Sequence, residues 1–302
     1  MWKTISAGDY QATIVSEGAG LASLTYQGND LVLPHPPTET PDGYSGKVLI
    51  PWPNRVAGSQ YQWGEKTQQL EISEPARSAA LHGLVAHEDW HLTDSSPSHV
   101  TFETKVGPVA GYPFPLLATA TYSLNADEGL TLTITTENIG DEAAPYGASF
   151  HPYLTCGVPA DECTISLPAQ SVAEVDVNLT PTGVVAVSDL LDLRGEAHLR
   201  GRQLDHAFTG LPEGQWSVTL ADPASGRGVE MRSSARWAQV FLGDVFERMG
   251  VAVEPMTCPP DAFTSGTDLI VLQPGEQTVF ATSIQAVSTK ATNIDSKERP
   301  SN

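Results

Sequence analysis

The chain has 302 residues, and its 16 Lys and Arg stand against 36 Asp and Glu, a formal net charge of −20. So negative a surface repels phosphate backbones and anionic headgroups, which argues against nucleic acid and membrane surfaces as partners. Length on this scale can bury a sizeable core without disulfides or structural metals, and Cys156, Cys163 and Cys258 form no Cys-x-x-Cys pair, so no disulfide framework or zinc knuckle is expected. The N-terminus carries no signal-like apolar run and no stretch is long and apolar enough to span a bilayer, so a soluble cytoplasmic protein is expected.

Along the chain, short runs rich in Val, Ile, Thr and aromatics alternate with Gly, Pro, Asn and Asp. They read as strands over 11–16, 22–26, 100–105, 118–124, 130–138, 216–220, 238–242 and 278–287. The clearest is Leu130 to Asn138, where Leu130, Leu132 and Ile134 share one face and Thr131, Thr133 and Thr135 the other. No long amphipathic helical window occurs without Gly or Pro, which argues against a βαβ design. The expectation is an all-β, large antiparallel β-sandwich, one domain over 1–287, with a polar, patternless tail over 288–302.

Several segments carry chemistry. Asn54-Arg55 follows a proline-rich turn, and the fixed donor fork of an arginine suits sugar hydroxyls or a carboxylate. His82 precedes Gly83 and His151 precedes Pro152, so each imidazole sits where the backbone is constrained, a setting for an acid or base near neutral pH. Glu254 lies in an apolar strand before a proline-dense turn, where desolvation raises a carboxyl pKa and makes a better base. Asp205 begins Asp-His-Ala-Phe and reads alone as a turn cap. His87-Glu88-Asp89-Trp90-His91 matches the zinc pattern His-Glu-x-x-His, but that pattern needs a helix. On a strand the two imidazoles would stand about 13 Å apart, so ordinary strand residues are the favoured reading.

In this order, Pro53-Asn54-Arg55, Leu81-His82-Gly83, Phe150-His151-Pro152-Tyr153, Leu204-Asp205-His206-Ala207-Phe208 and Val253-Glu254-Pro255-Met256-Thr257 resemble the aldose 1-epimerase, or galactose mutarotase-like, family over nearly the whole chain. The overall look is nearest the bacterial branch that includes the mutarotase associated with sulfoquinovose use. The resemblance implies a supersandwich fold, a free aldohexose as substrate, and no cofactor and no metal. It implies Glu254 as the base that takes the anomeric proton, His151 as the acid that protonates the ring oxygen, and His82 as a hydrogen bond near that oxygen. Arg55 and Asp205, with Asn54 beside them, would hold sugar hydroxyls. Ring opening moves one proton off an oxygen and one onto an oxygen, so a base and an acid on opposite sides of the sugar are expected to suffice.

Two alternatives stay open: a sulfoquinovose mutarotase, with Arg77, Arg232 or Arg236 pairing the sulfonate, and a catalytically idle sugar-binding protein on the same fold. Trp52, Trp90 or Phe241 could offer the sugar an apolar face, although core packing is the plainer role for each. The oligomeric state is not legible from the residues.

Overall fold

The computed structural model describes residues 1–289, so most of the expected tail lies outside the described residues. Strand accounts for 49% of the chain, and every strand pair is antiparallel. The expected strands are all present with slightly shifted ends, for example Gly129–Asn138 and Gln277–Ser288. The one α-helix among the described residues is the single turn Ala262–Ser265.

Two large sheets dominate. A nine-stranded sheet contains the long strands His99–Val106, Leu116–Asn125, Gly129–Asn138 and Gln277–Ser288 side by side. In Gly129–Asn138 the Leu and Ile side chains are buried and Thr131, Thr133 and Thr135 only partly so, the outcome that period-two alternation dictates when one face meets a core. Each buried Leu or Ile contributes roughly 1.5–3 kcal/mol through removal of apolar surface from water. The main cluster of buried apolar side chains runs from Ile5 to Ile284 and draws on both large sheets and on the N-terminal strands Trp2–Ala7, Tyr10–Val15 and Leu21–Tyr26.

The eight-stranded sheet positions the site. Its centre is Val251–Met256, buried along its whole length, flanked on one side by Trp237–Phe241 and then Asp205–Thr209. On the other side it pairs with two short strands, Ser149–Phe150 and Tyr153–Leu154, separated by His151-Pro152. Proline cannot donate to a ladder, so the pairing breaks at that point and His151 stands at the gap. Registry places Ala207, Gln239 and Glu254 in one row across three strands, with Asp205, Phe241, Ala252 and Tyr153 in the next row but one along the strands. These residues share one face, on which Ala173, Ala207, Trp237 and Met256 form a separate small apolar cluster.

Candidate functional site

The first part of the site is a corner made by two very short strands, Arg55–Val56 and Ala80–Leu81, paired so that Asn54 and His82 meet. Both residues adopt the left-handed backbone, with φ of 53° at Asn54 and 59° at His82. Such conformations cost on the order of 1–3 kcal/mol for non-glycine residues and gather where a ligand is held. Gly83 follows with φ of 77°, and a Cβ there would overlap the Ile50 carbonyl, which is why the Leu-His-Gly run ends in glycine. The His82 amide donates to the Asn54 carbonyl (2.8 Å) and the Asn54 amide donates to His82 Nδ1 (3.2 Å). With Nδ1 accepting, neutral His82 carries its proton on Nε2 and presents a donor.

Arg55 grips Glu74 with two donors, Nε to Oε2 at 2.7 Å and Nη2 to Oε1 at 2.9 Å, and its Nη1 donates to Asn54 Oδ1 at 3.2 Å. Of the five guanidinium hydrogens these use three. Arg77 also donates to Glu74 Oε1, at 2.8 Å, so two guanidiniums share one carboxylate.

The second part comes from the eight-stranded sheet. The His151 amide donates to the Lys47 carbonyl, and the His151 carbonyl accepts from the Gly46 amide, which ties the residue to the strand edge at Val48. Its Nε2 stands 3.3 Å from Glu254 Oε1. The residues expected to act as base and acid are therefore adjacent, where the expectation put them on opposite sides of the sugar. His82, His151 and Glu254 offer ring nitrogens and a carboxylate oxygen all within 4.8 Å of one another. Their residues are only 6%, 4% and 2% exposed, so water is largely excluded from them. Asp205 Oδ1 accepts a hydrogen bond from Gln239 Nε2 at 2.6 Å. Three buried polar atoms in this row, His151 Nδ1, Gln239 Oε1 and Glu254 Oε2, have no partner among the described residues, a rare condition for buried polar groups and one that a ligand rich in hydroxyls would relieve.

Burial pushes the Glu254 carboxyl well above the usual carboxylate range; the nearby Asp205 charge adds to the rise and Arg55 opposes it. Burial pulls His151 down to about 4. His82 is also held well below the usual histidine value, by burial first and then by the neighbouring His151 and Arg55. Two histidines and a glutamate this close form the one metal-ligand-like grouping among the described residues. Yet the Asn54 amide fixes His82 with a hydrogen, not a lone pair, on its free nitrogen, so only His151 and Glu254 are ready to coordinate.

The structure brings Glu254, His151 and His82 together; Asn54 bonds His82 directly, Arg55 bonds Asn54, and Asp205 is held by Gln239, the cross-strand neighbour of Glu254. It corrects the strand expected at His87 to His91: His87 and Glu88 lie in a turn and bend, and only His91 enters a strand. His87 is more than half exposed and faces Glu17 and Tyr44. Trp52 and Trp90 are core residues, each with its indole N–H on a backbone carbonyl. Arg232 pairs with Glu230 and Arg236 with Asp268, whereas Arg77 stands beside Arg55.

Glu74, Gln239 and two tyrosines were not singled out by the sequence reasoning. The Tyr153 ring stacks on His151 with centroids 5.2 Å apart, and Tyr44 packs on His82 at 4.6 Å. Gln239 had a usable signal, a polar residue at the middle of an otherwise apolar strand. A cavity of about 790 Å³ opens at His82, walled by Tyr44, Trp52, Ser73, His87 and Lys105 among others.

With this geometry in hand, comparison with known proteins is informative. The model of the aldose 1-epimerase family matches residues 3–285. The uncharacterized Escherichia coli K12 protein YihR is 44% identical over 275 residues, 90% of this chain and 89% of that one. Among solved structures, the aldose epimerase homologue of C. elegans superposes with a TM-score of 0.86 at 19% identity, covering 96% of this chain and 99% of that one. The galactose 1-epimerase of Lactobacillus acidophilus superposes with a TM-score of 0.80 at 17% identity, covering 94% and 93%. At such identities these two likenesses speak for a shared fold.

Proposed function

Since the chain belongs to the aldose 1-epimerase family, we propose that it interconverts the α and β anomers of a free aldohexose by acid/base ring opening and reclosure. The observation that carries the proposal is the 3.3 Å approach of His151 Nε2 to Glu254 Oε1 in a dry site, with the His82 donor beside them. The hydroxyl that loses a proton and the ring oxygen that gains one are bonded to the same carbon. A base and an acid that serve both must stand side by side, as these two do.

In this reading the pair holds one exchangeable proton. Burial rests that proton on Glu254. Once it passes to His151 across the 3.3 Å contact, Glu254 is a carboxylate that takes the proton of the anomeric hydroxyl while His151 gives its proton to the ring oxygen. The bond between that oxygen and the anomeric carbon breaks, leaving the open aldehyde. Rotation about the bond between C1 and C2, followed by the same transfers in reverse, closes the other anomer and restores the pair. Arg55 favours the carboxylate form of Glu254, and the Nε2 hydrogen of His82 stabilises charge developing on the ring oxygen. Two guanidinium hydrogens of Arg55 and the second oxygen of Asp205 are left to hold hydroxyls, with Asn54 fixing the Arg55 fork. No step calls on a cofactor, and the whole of 1–287 is taken as one unit in a cytoplasmic protein, for which three buried free cysteines speak.

A second substrate reading, a sugar with an anionic substituent such as sulfoquinovose, is favoured by one observation. Arg55 and Arg77 set two positive charges against the single carboxylate of Glu74, an excess of one on a strongly acidic protein. The test of both is the approach of freshly dissolved α-glucose, α-galactose and α-sulfoquinovose to anomeric equilibrium, followed by proton NMR in the presence of a chelator. Acceleration by the wild-type protein and none by Glu254→Gln is expected. Equal acceleration by the variant would overturn the assignment, and the ranking of the sugars separates a neutral from an anionic substrate. Sugar binding without acceleration by the wild type would favour an idle binding protein.

A further inference from the structure

We infer that Tyr44 is a sugar-binding residue, its ring one wall of the substrate site and its hydroxyl a hydrogen-bonding group to the bound sugar; this rests on the epimerase reading above. Three independent observations carry it. The first is position: the Tyr44 ring lies between two imidazoles, 4.6 Å from His82 and 5.1 Å from His87 by centroids, and it walls the cavity that opens at His82. Aromatic faces attract the polarised C–H groups of a pyranose, so a ring in that place does more than fill space.

The second is the backbone. Tyr44 sits at φ of 55° between Gly43 and Gly46, which also have positive φ. For a bulky residue the left-handed region is a true outlier. Among the twelve other non-glycine residues with positive φ are Asn54 and His82, the two that form the first corner of the site. The surroundings fix this conformation: the Lys47 amide donates to the Tyr44 carbonyl at 3.0 Å, and the Tyr153 hydroxyl donates to the Gly43 carbonyl at 3.1 Å. Strain that the fold goes to this length to hold points to a use for the side chain it presents.

The third is the hydroxyl. Tyr61, Tyr112, Tyr122, Tyr146 and Tyr153 are buried and each has its hydroxyl hydrogen-bonded to a protein group. The hydroxyl of Tyr44, like that of the other half-buried tyrosine, Tyr26, makes no hydrogen bond among the described residues; unlike Tyr26 it stands at the cavity beside His82. Burial, together with the charge of Glu74, raises its pKa, so it stays protonated and available as a donor.

Two variants separate the ring from the hydroxyl. Tyr44→Phe removes the oxygen alone, and Tyr44→Asn removes the ring while keeping a residue that tolerates the left-handed backbone. The readouts are kcat and KM for anomer exchange, and the dissociation constant for galactose and glucose from saturation-transfer NMR, with thermal melts to show that each variant folds. Tyr44→Phe should raise KM and the dissociation constant roughly three- to tenfold with kcat little changed, the effect of one lost hydrogen bond. Tyr44→Asn should lower kcat/KM by more than about tenfold, because the sugar loses the aromatic wall and His82 its neighbour. Wild-type binding and turnover in both variants would overturn the inference. A wild type that binds sugar without accelerating exchange, and whose binding weakens in Tyr44→Phe, would fail the epimerase reading while supporting this one.

Discussion

The hairpin Leu116–Asn125 and Gly129–Asn138 and the strand Val251–Met256 are both antiparallel, and both are built mainly from apolar and small residues, yet they obey different rules. In the hairpin, apolar side chains go in, every threonine but the buried Thr136 goes partly out, and ten consecutive residue pairs keep register. Along Val251–Met256 every residue is buried, a carboxylate sits among them, and the neighbouring ladder breaks at His151-Pro152. The first region shows what a sheet does when stability alone is served. In the second, buried polar atoms without partners among the described residues depart from that consistency, as the proposed chemistry would require.

The sharpest way to break this contrast is to disable the pair. His151→Gln and Glu254→Gln should each lower kcat for anomer exchange about 10²- to 10⁴-fold. The double variant should be little worse than either single one, since the two act as a unit; kinetic additivity would contradict the shared-proton account. Glu254→Gln should also raise the melting temperature at alkaline pH and not at acid pH. A carboxyl whose folded pKa is raised contributes stability that is fully present below its unfolded value of about 4.5 and is lost as pH rises from there through the folded value, so the variant's gain should be absent below that window, grow across it and level off above it. A melting shift equal at all pH values would argue against a desolvated Glu254.

In the hairpin the expected effects reverse in kind. Leu132→Ala should destabilise by about 2–5 kcal/mol in urea titrations while leaving kcat/KM of the folded protein unchanged. Glu74→Gln, which weakens the grip on Arg55, should raise KM up to about tenfold with a smaller change in kcat. Smallest of all, Thr133→Ala on the partly exposed face should shift stability by no more than about 0.5 kcal/mol; a larger loss would mean that this face is covered.

Much of this was legible in the residues. Period two exposed the hairpin because each of its faces meets a uniform environment, and the ordered motifs pointed to Glu254, His151 and His82 through their resemblance to the aldose 1-epimerase family. Edge strands such as Pro181–Ala186 escaped because their side chains are largely exposed and carry no alternation. Glu74 escaped for a different reason: it stands in a polar stretch and acquires meaning only through Arg55, nineteen residues away. Tyr44 and Tyr153 became visible only when the fold stacked them on the two imidazoles. The strand expected over His87 to His91 begins only at His91, because the chain turns at Ala86 and His87 just before it.

The central claim is that one buried proton shared by His151 and Glu254 runs the reaction, and the pH dependence of kcat/KM for anomer exchange, corrected for the uncatalysed rate, tests it most directly. Activity requires the pair to hold one proton. A second proton blocks the base, so the acid limb should fall at about 4, where burial has placed His151. Loss of the single proton removes the acid, so the alkaline limb should lie well above the ordinary carboxylate range. A bell with those limbs is the predicted result, whereas a single rise through the ordinary histidine value near 6.5 would show that His151 titrates as an exposed imidazole and would contradict the account.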